Sequence, residues 1–384
     1  MGDPGLLRKL NVSAALRAFL TADTLTVSEL QRTIGVSRPT AEDVLSGLVS
    51  RRHVETISAT MPQRSAGRPA RRYRFAAASR YVVGIDIGAH SVGCMVTDLR
   101  GNVTGSRRRA VRPATGAKTR LREAARLVTA TLEAADVPTG HVVGTGCGIT
   151  GVVLDGDRPI DVRALPSGPG LHTYSLPGFA DIDISSECAS VFGTEVLVAN
   201  DIKLAALAEH GHGVASDADD LVYMHAGRRL GSSIIVGGKV MMGRHGLAGE
   251  IGAMRLLGWS AAMDQLEEAR IRFRPAGSRS DGTRELFEAA AEGDPVARDA
   301  VEAVALALAL GASALVHAVD PALVVLGGGL SRVGDALAEP FRRHLEETSF
   351  ITPPVAVSSL GEESVELGAA RLALTTFQDR LVAV

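Results

Sequence analysis

Residues 81–103 of the chain read YVVGIDIGAHSVGCMVTDLRGNV, and this stretch predicts the architecture of most of the protein. The pattern indicates a strand, a glycine turn, a second strand, a tight turn and a third strand. A second copy of this layout, LVYMHAGRRLGSSIIVGGKVMMG, occupies residues 221–243. Two such units predict a duplicated α/β domain whose two lobes enclose a ligand cleft.

Glycine turns at the ends of three predicted strands have the composition of phosphate-binding turns. Asp86 lies at the end of the first strand and is followed by Gly88, and Gly227 lies in the corresponding loop of the second copy. Nearer the C-terminus, the hydrophobic strand ALVVLGGGLS ends in Gly327 and Gly328, where backbone amides can approach a nucleotide or a phosphate. A simple strand-to-helix turn is the alternative interpretation of these last two glycines.

Candidate hydrogen-bond acceptors lie between the two copies and just after the second. Residues 195–211, EVLVANDIKLAALAEHG, predict a buried strand that runs into Asn200 and Asp201 and then into an Ala-rich helix. A carboxylate at the carboxyl end of a strand faces the cleft in open α/β sheets, so Asp201 can bind a ligand hydroxyl or act on it as a general base. The alternative role of Asp201 is to cap the helix. Glu250, in the turn GLAGEIGAM, is predicted to face the same pocket.

The N-terminal eighty residues predict a helix-turn-helix. After a first helix over residues 5–22, a short helix ends at Gly35 and a longer helix follows. The exposed N-terminal end of that longer helix is the part that meets base edges and phosphates in a major groove. The predicted DNA-contacting residues there are Ser37, which also caps the helix, Arg38, Pro39 and Thr40. A helical hairpin used for dimerisation is the alternative.

The net charge of the chain changes sign near residue 80. The whole chain has a formal charge of −2, but residues 1–80 hold 13 basic and 6 acidic residues while residues 81–384 hold 28 and 37. Such an asymmetry suggests contact with nucleic acid. His53–Ser58 and Arg72–Phe75 are predicted to be the strands of a wing with an arginine-rich tip. The arginines expected to neutralise phosphates are Arg64, Arg68, Arg71 and Arg72. A solvated linker is the alternative for this cluster.

Other features of the composition exclude several classes of protein. The cysteines Cys94, Cys147 and Cys188 form no CxxC pair, which excludes a disulfide framework and a cysteine-rich zinc site. The N-terminus does not have the pattern of a signal peptide. The longest apolar run, Ala303–Val316, is shorter than a membrane-spanning helix requires and predicts a buried helix. We therefore expect a soluble cytoplasmic protein that does not contact a membrane.

Together these motifs resemble the ROK family of repressors and sugar kinases over essentially the whole chain. The residues that carry the resemblance are Gly67-Arg68-Pro69, Gly84-Ile85-Asp86-Ile87-Gly88, Asn200-Asp201, Gly249-Glu250-Ile251-Gly252 and Leu326-Gly327-Gly328-Gly329. The resemblance implies an α/β, actin-like (ribonuclease H-like), duplicated two-lobe sugar-kinase fold behind an N-terminal winged helix-turn-helix. The predicted domains are residues 1–78, 79–197 and 198–384, with the C-terminal helix returning to the first lobe.

The chain departs from the family's kinases at the phosphate loops and at the zinc site. Residues 88–91 read Gly-Ala-His-Ser where the kinases have a Gly-Gly-Thr-Lys-type turn, and Arg228 and Arg229 stand where small residues are usual. Ala253 takes the position of the zinc-site histidine, and the family's cysteine cluster is absent. These losses predict that kinase activity is lost, with no cofactor and no metal.

The resemblance also assigns roles to two carboxylates. Asp201 occupies the position of the family's catalytic base, and Glu267 is matched to a sugar-binding glutamate. Retention of Asp201 keeps an ATP-dependent sugar kinase open as an alternative function.

The sequence therefore predicts a transcriptional regulator, a repressor, that binds double-stranded operator DNA and senses a sugar or sugar derivative. We expect a homodimer or a dimer of dimers, since regulators of this type contact two half-sites. The alternatives are an active sugar kinase with an appended winged helix, and a regulator whose body is a ligand-free dimerisation scaffold.

Overall fold

The computed structural model of the protein describes residues 4–57, 70–151, 176–179, 182, 184–277 and 280–383. Arg64 and Arg68, with the predicted tip of the wing around Gly67, lie outside the described residues. Three sheets organise the described part of the chain, one in the N-terminal region and one in each lobe of the body.

The N-terminal region forms the predicted winged helix-turn-helix. Its elements are α1 (Pro4–Thr21), β1 (Leu25–Thr26), α2 (Val27–Ile34), α3 (Arg38–Ser50), β2 (Val54–Ile57) and β3 (Arg72–Phe75). Gly35 ends α2 in the left-handed conformation, at φ 68°, which glycine adopts without steric cost. The strands pair antiparallel in the order β1-β3-β2, so β2 and β3 form the wing. The two predicted helices and the two predicted strands are confirmed.

The first lobe is built on the hairpin that opens the body. Its elements are β4 (Tyr81–Ile87), β5 (Ser91–Asp98), β6 (Val103–Ala110), α4 (Ala117–Ala134), β7 (Val142–Ile149), α5 (Ile184–Phe192) and β8 (Val196–Asn200). The sheet order is β6-β5-β4-β7-β8, in which β4, β5 and β6 pair antiparallel and β4, β7 and β8 pair parallel. Because β8 continues to Asn200 in this sheet, the predicted limit of the first lobe at residue 197 lies inside a strand and is too early.

The second lobe repeats the same sheet. Its elements are α6 (Asp201–His212), β9 (Leu221–Ala226), β10 (Leu230–Val236), β11 (Lys239–Val240), α7 (Trp259–Phe273), α8 (Thr283–Ala291), α9 (Pro295–Val319), β12 (Leu323–Gly327), α10 (Asp335–Thr348), β13 (Val355–Val357) and α11 (Ser364–Val382). The order β11-β10-β9-β12-β13 matches the first sheet strand for strand, with the same antiparallel and parallel pairings. The predicted duplicated α/β fold is confirmed.

Helix α11 leaves the second lobe and packs against β4 and β7 of the first. The contact is close because the facing strand residues are glycines. A Cβ atom at Gly84 would overlap the Glu366 carbonyl oxygen, and one at Gly146 would overlap the backbone of Ala369. The glycines of the GIDIG motif and of β7 therefore allow the backbone of α11 to approach the sheet.

Helix α9 is long and apolar enough, by length and composition, to cross a membrane, but 67% of its most apolar window is buried inside the protein. Its side chains form the centre of the hydrophobic core of the second lobe, where they meet Val324 and Leu326 of β12 and Phe341 of α10. The prediction of a buried helix is confirmed.

The winged helix and the body share one hydrophobic core. Leu16 and Phe19 of α1 are in the same buried cluster as Leu374 and Val382 of α11 and Leu99 of the first lobe. The Ser13 hydroxyl donates a hydrogen bond to the Val382 carbonyl over 2.6 Å. The N-terminal domain is thus packed directly on the C-terminal helix.

Candidate functional site

The end of β8 brings Asn200 and Asp201 to the cleft between the lobes. The Asn200 carboxamide oxygen accepts a hydrogen bond from the Lys203 amide over 3.0 Å, so Asn200 caps α6. The alternative prediction, that Asp201 is the cap, is wrong, because the strand extends one residue further than the sequence pattern indicated. Asp201 is instead the first residue of the helix, and its Oδ1 accepts hydrogen bonds from the Ile202 amide and the Asn200 side chain.

Asp201 is half-buried and lies in an acidic environment. Burial raises the pKa of Asp201 to about 7, the negative charges of Asp86 and Glu250 act in the same direction, and a hydrogen bond to Thr150 opposes them. Burial likewise raises the pKa of Glu250, against the attraction of Lys203. Near neutral pH, Asp201 is therefore divided between a form that accepts hydrogen bonds and a protonated form that also donates one.

Lys203 fixes the turn that carries Glu250. Its ammonium group donates hydrogen bonds to the carbonyl oxygens of Ala248, over 2.7 Å, and Met241, over 3.3 Å. The loop between β11 and α7 is thereby anchored to the first turn of α6. Asp201 and Glu250 were predicted to face the same pocket, and Lys203 helps to hold them there. No role for Lys203 was predicted from the sequence.

Asp86 faces the same cleft and is paired with an arginine that the sequence analysis missed. The Arg108 guanidinium donates to Asp86 Oδ2 over 3.2 Å and to the Ser91 hydroxyl over 2.8 Å. Its other terminal nitrogen donates to Glu366 Oε1 over 2.6 Å and to the Glu362 carbonyl. Asp86 and Glu366 are almost completely buried, with side-chain exposures of 9% and 3%. Arg108 thus joins the first lobe to the beginning of α11.

These acidic residues influence one another's protonation. Burial raises the pKa of Asp86 to about 6, although Arg108 favours the carboxylate. Burial and then repulsion from Asp86 raise the pKa of Glu366 to about 8. We refer to Asp86, Asp201, Glu250 and Glu366 as the acid cluster. Arg108 and Lys203 are the cations whose charges act on it.

The two hairpin turns predicted to bind phosphate face each other across the cleft. The Gly88 amide donates to the Ser91 carbonyl, and the Gly227 amide donates to the Arg229 carbonyl. Burial lowers the pKa of His90, and the positive charge of Arg228 from the opposite turn lowers it further. The second turn therefore presents an arginine toward the first.

Gly327, the last residue of β12, and Gly328, which follows it, are explained by steric contacts that involve no ligand. Gly328 has φ 90°, and a Cβ atom there would overlap the backbone of Ala226 at the end of β9. A Cβ atom at Gly327 would overlap the ring of Tyr223. Since packing between strands accounts for both residues, these glycines give no independent support for a nucleotide site.

Glu267 lies on α7 with an exposed side chain. Its carboxylate is 58% exposed and forms an ion pair with Arg270 over 2.9 Å. Arg270 also pairs with Asp281, over 2.8 Å. The ion pair with the buried Arg270 accounts for the contacts of Glu267, and its assignment to the sugar site stays a prediction. In the part of the chain that the structure describes, no group of three or more His, Cys, Asp or Glu residues is arranged to hold a metal ion.

The helix-turn-helix presents the predicted N-terminal end of α3. The Ser37 hydroxyl accepts a hydrogen bond from the Thr40 amide, and the Arg38 side chain is 64% exposed and pairs with Glu42 over 3.0 Å. Pro39 is exposed, and Thr40 is half-buried. This end of α3 is therefore accessible to a ligand.

Arg71 and Arg72, the two members of the predicted phosphate-binding cluster in the described part of the chain, differ in their contacts. Arg71 is exposed. Arg72 donates to the Thr24 hydroxyl over 2.8 Å and pairs with Glu29 over 3.6 Å. Arg72 therefore holds the wing to the residues just before and within α2 at the surface of the domain, which the charge pattern did not indicate.

Comparison with known proteins agrees with the fold. The ROK family model matches residues 82–376. The chain belongs to the ROK family. The xylose repressor of Caldicellulosiruptor bescii is 20% identical over 405 residues, covering 98% of both chains.

Solved structures of ROK proteins match different shares of this chain. A ROK family transcriptional regulator, described as a homologue of the E. coli MLC protein, superposes with a TM-score of 0.73 at 18% identity over 98% of both chains. The ROK hexokinase of Thermus thermophilus is 28% identical with a TM-score of 0.60, and it covers 78% of this chain and 99% of its own. The regulator therefore matches essentially the whole of the present chain, whereas the hexokinase leaves about a fifth of the present chain unmatched.

The charge state of Asp201 gives a testable dependence of stability on pH. A carboxyl group whose pKa rises from 3.8 to about 7 on folding binds its proton more tightly in the folded state. The wild-type free energy of unfolding therefore falls as the pH rises between those values. Asp201→Asn removes this penalty, so the variant should gain stability over the wild type with rising pH, by at most about 4 kcal/mol above pH 7.

The measurement is urea unfolding of both proteins at pH 5 and pH 8. Asp264→Asn, at an exposed position of α7, is the matched control and should show no such trend. A stability difference between Asp201→Asn and the wild type that stays constant across this range would contradict the buried, shifted carboxyl group.

Proposed function

We propose that this ROK protein is a cytoplasmic transcriptional repressor whose winged helix binds operator DNA and whose cleft binds a sugar or sugar derivative. The observation that carries the proposal is the shared core of the winged helix and the sugar-kinase-like body. A full-length match to a xylose repressor supports it, since the match extends through the DNA-binding region. Each protomer would contact one half-site of the operator, in a homodimer or a dimer of dimers.

The DNA-binding part of the proposal is supported by charge and exposure. Residues 1–80 hold 13 basic and 6 acidic residues, and the N-terminal end of α3 is exposed. We assign base and phosphate contacts to Ser37, Arg38, Pro39 and Thr40, and further phosphate contacts to Arg64, Arg68 and Arg71. Arg72 would act mainly by holding the wing against Thr24.

Arg38→Ala should weaken operator binding, because an arginine at the start of a recognition helix contacts bases or phosphates directly. The expected loss is about 1–3 kcal/mol if Arg38 reads a base, or about one unit of log–log salt slope if it contacts a phosphate. Fluorescence anisotropy on the gene's own upstream DNA, at several salt concentrations, measures both. Arg298→Ala, at an exposed position of the otherwise largely buried α9, is the control. Equal affinity of the two variants would remove Arg38 from the interface.

The effector part of the proposal is supported by the chemistry of the cleft. Asn200, Asp201 and Glu250 offer carboxamide and carboxylate oxygens in a buried setting, and such groups bind hydroxyls well. Asp201 also favours the rival function, an ATP-dependent sugar kinase, in which it would be the general base. Arg228 in the second turn opposes that rival, because its side chain crowds the place of a nucleotide phosphate.

Calorimetry against a panel of pentoses, hexoses and their derivatives tests the cleft. The wild type should bind one of them, and Asp201→Asn and Glu250→Gln should each weaken binding about 10- to 100-fold, the cost of a lost hydrogen bond to a charged group. Glu267→Gln should leave it unchanged. Absence of binding by the whole panel would favour the ligand-free scaffold instead. Asp201-dependent turnover with ATP and magnesium would favour the kinase.

Two helices connect the cleft to the DNA-binding domain. Helix α6 begins at Asp201, and its other end, at His212, lies beside Gly101 in the turn between β5 and β6. In that turn Arg100 donates hydrogen bonds to the carbonyl oxygens of Phe19 and Ala22, over 3.2 and 2.8 Å, and so caps the end of α1. Helix α11 crosses α6 where Gly368 meets the Leu204 carbonyl, and continues into the shared core.

We infer that effector binding moves α6 and α11 together and re-orients the winged helix through these contacts. Only a difference in effector affinity between the two orientations is required. Arg100→Ala should therefore reduce the effect of the sugar on operator affinity, an effect expected to be about 5- to 150-fold in the wild type. Sugar affinity itself should be unchanged. Arg107→Ala, exposed on β6, is the control, and an unaltered sugar effect in Arg100→Ala would contradict this route.

A further inference from the structure

Arg108 is turned inward on an exposed edge strand. Arg107, Arg108 and Arg109 follow one another on β6, and because side chains alternate along a strand, the middle one faces away from its neighbours. Arg107 and Arg109 are exposed, while Arg108 is 24% exposed and lies over the cleft side of the sheet. The inward direction of the Arg108 side chain is therefore set by the backbone of β6.

Contacts from three elements hold the guanidinium in place. One terminal nitrogen donates to Asp86 of β4 and Ser91 of β5, and the other donates to Glu366 of α11 and to the Glu362 carbonyl just before that helix. Both terminal nitrogens are thus used twice. An arginine bound in this way remains protonated and cannot withdraw its charge at any ordinary pH.

A sugar-kinase-like body implies that the cleft binds a nucleotide together with magnesium. A carboxylate at the end of a strand, near the phosphate turns, would then have to be available to the metal. Magnesium requires oxygen ligands at about 2.0–2.1 Å in a near-octahedral arrangement. Asp86 is the carboxylate in that place, but its Oδ2 accepts a hydrogen bond from Arg108 over 3.2 Å. A dication bound to Asp86 would lie a few ångströms from a fixed positive charge. The residues present do not fit a metal–nucleotide.

We propose that Arg108 is a built-in counter-cation that takes the place of a divalent metal at Asp86, and so restricts the cleft to ligands that bind without metal. The ligand class is an uncharged polyol or sugar, which needs hydrogen-bond acceptors and no phosphate-bound cation. This inference rests on the proposed sensor function and deepens it. It names the residue that separates this cleft from one that holds a nucleotide.

Removal of Arg108 would leave two buried acidic side chains without the cation that both of them contact. Asp86 and Glu366 accept hydrogen bonds from the same guanidinium, so without it two buried carboxylates share one small space. Clustered carboxylate oxygens are hard ligands of the kind that bind magnesium and manganese. The site should then acquire the metal affinity that Arg108 suppresses.

Manganese binding, followed by electron paramagnetic resonance and calorimetry, tests the proposal on the full-length protein. The wild type should show no uptake that depends on Asp86. Arg108→Met should gain about one Mn²⁺ per chain, and the gain should disappear in the double variant Arg108→Met/Asp86→Asn. Arg107→Met, on the other face of the same strand, is the matched control and should behave as the wild type.

Circular dichroism and thermal unfolding show whether Arg108→Met folds. If it does not, Arg108→Gln, which keeps a hydrogen-bond donor beside both carboxylates but carries no charge, should show the same Asp86-dependent gain. Uptake of Mn²⁺ by the wild type that is abolished by Asp86→Asn would overturn the proposal, as would a folded Arg108 variant that takes up none. Neither result depends on sugar or DNA binding, so failure here is distinguishable from failure of the repressor function.

Discussion

The packing of α11 on the first sheet determines how the rest of the molecule is arranged. The helix begins in the second lobe, lies against Gly84 and Gly146 of the first, and crosses α6 at Gly368. Backbone meets backbone at each of these points, so the helix cannot shift at one contact without disturbing the others. This placement brings Glu366 beside Asp86 at one end and Val382 beside α1 at the other.

The negative charges of the cleft are compensated by basic side chains of the protein itself. Charges that are withdrawn from water must be paired or neutralised, and here Arg108 and Lys203 act on carboxyl groups whose pKa values are raised by burial. Such a site differs from one designed for phosphoryl transfer, which depends on positive groups directed at the phosphates. The same fold can therefore hold a kinase or a sensor, depending on which charges are already satisfied.

The sequence predicted the features that are encoded locally. The two hairpin units, the helix-turn-helix with its Gly35 turn and the wing strands each depend on residues close together in the chain, and all were found as expected. The end of β8 was missed by one residue, because Asn200 and Asp201 are both good caps and only the strand pairing with β7 decides between them.

Features formed by distant residues could not be found in this way. Arg108 and Glu366 are 258 positions apart, and no local pattern links them. Two signals were nevertheless present: three successive arginines on a strand must place one on the inner face, and a lone glutamate in the apolar run of α11 needs a partner. Glu267 was matched by order along the chain, and that order does not indicate its ion pair with the buried Arg270.

The shared core also determines when the winged helix can finish folding. Leu16 and Phe19 are buried in part by Leu374 and Val382, which the ribosome adds more than 350 residues later. At ordinary rates of synthesis this interval is on the order of 20 to 70 s. During that time the N-terminal helices have emerged but lack one wall of their core. A chain that stops early therefore leaves the winged helix incomplete, and only molecules translated to the end of α11 acquire a finished one.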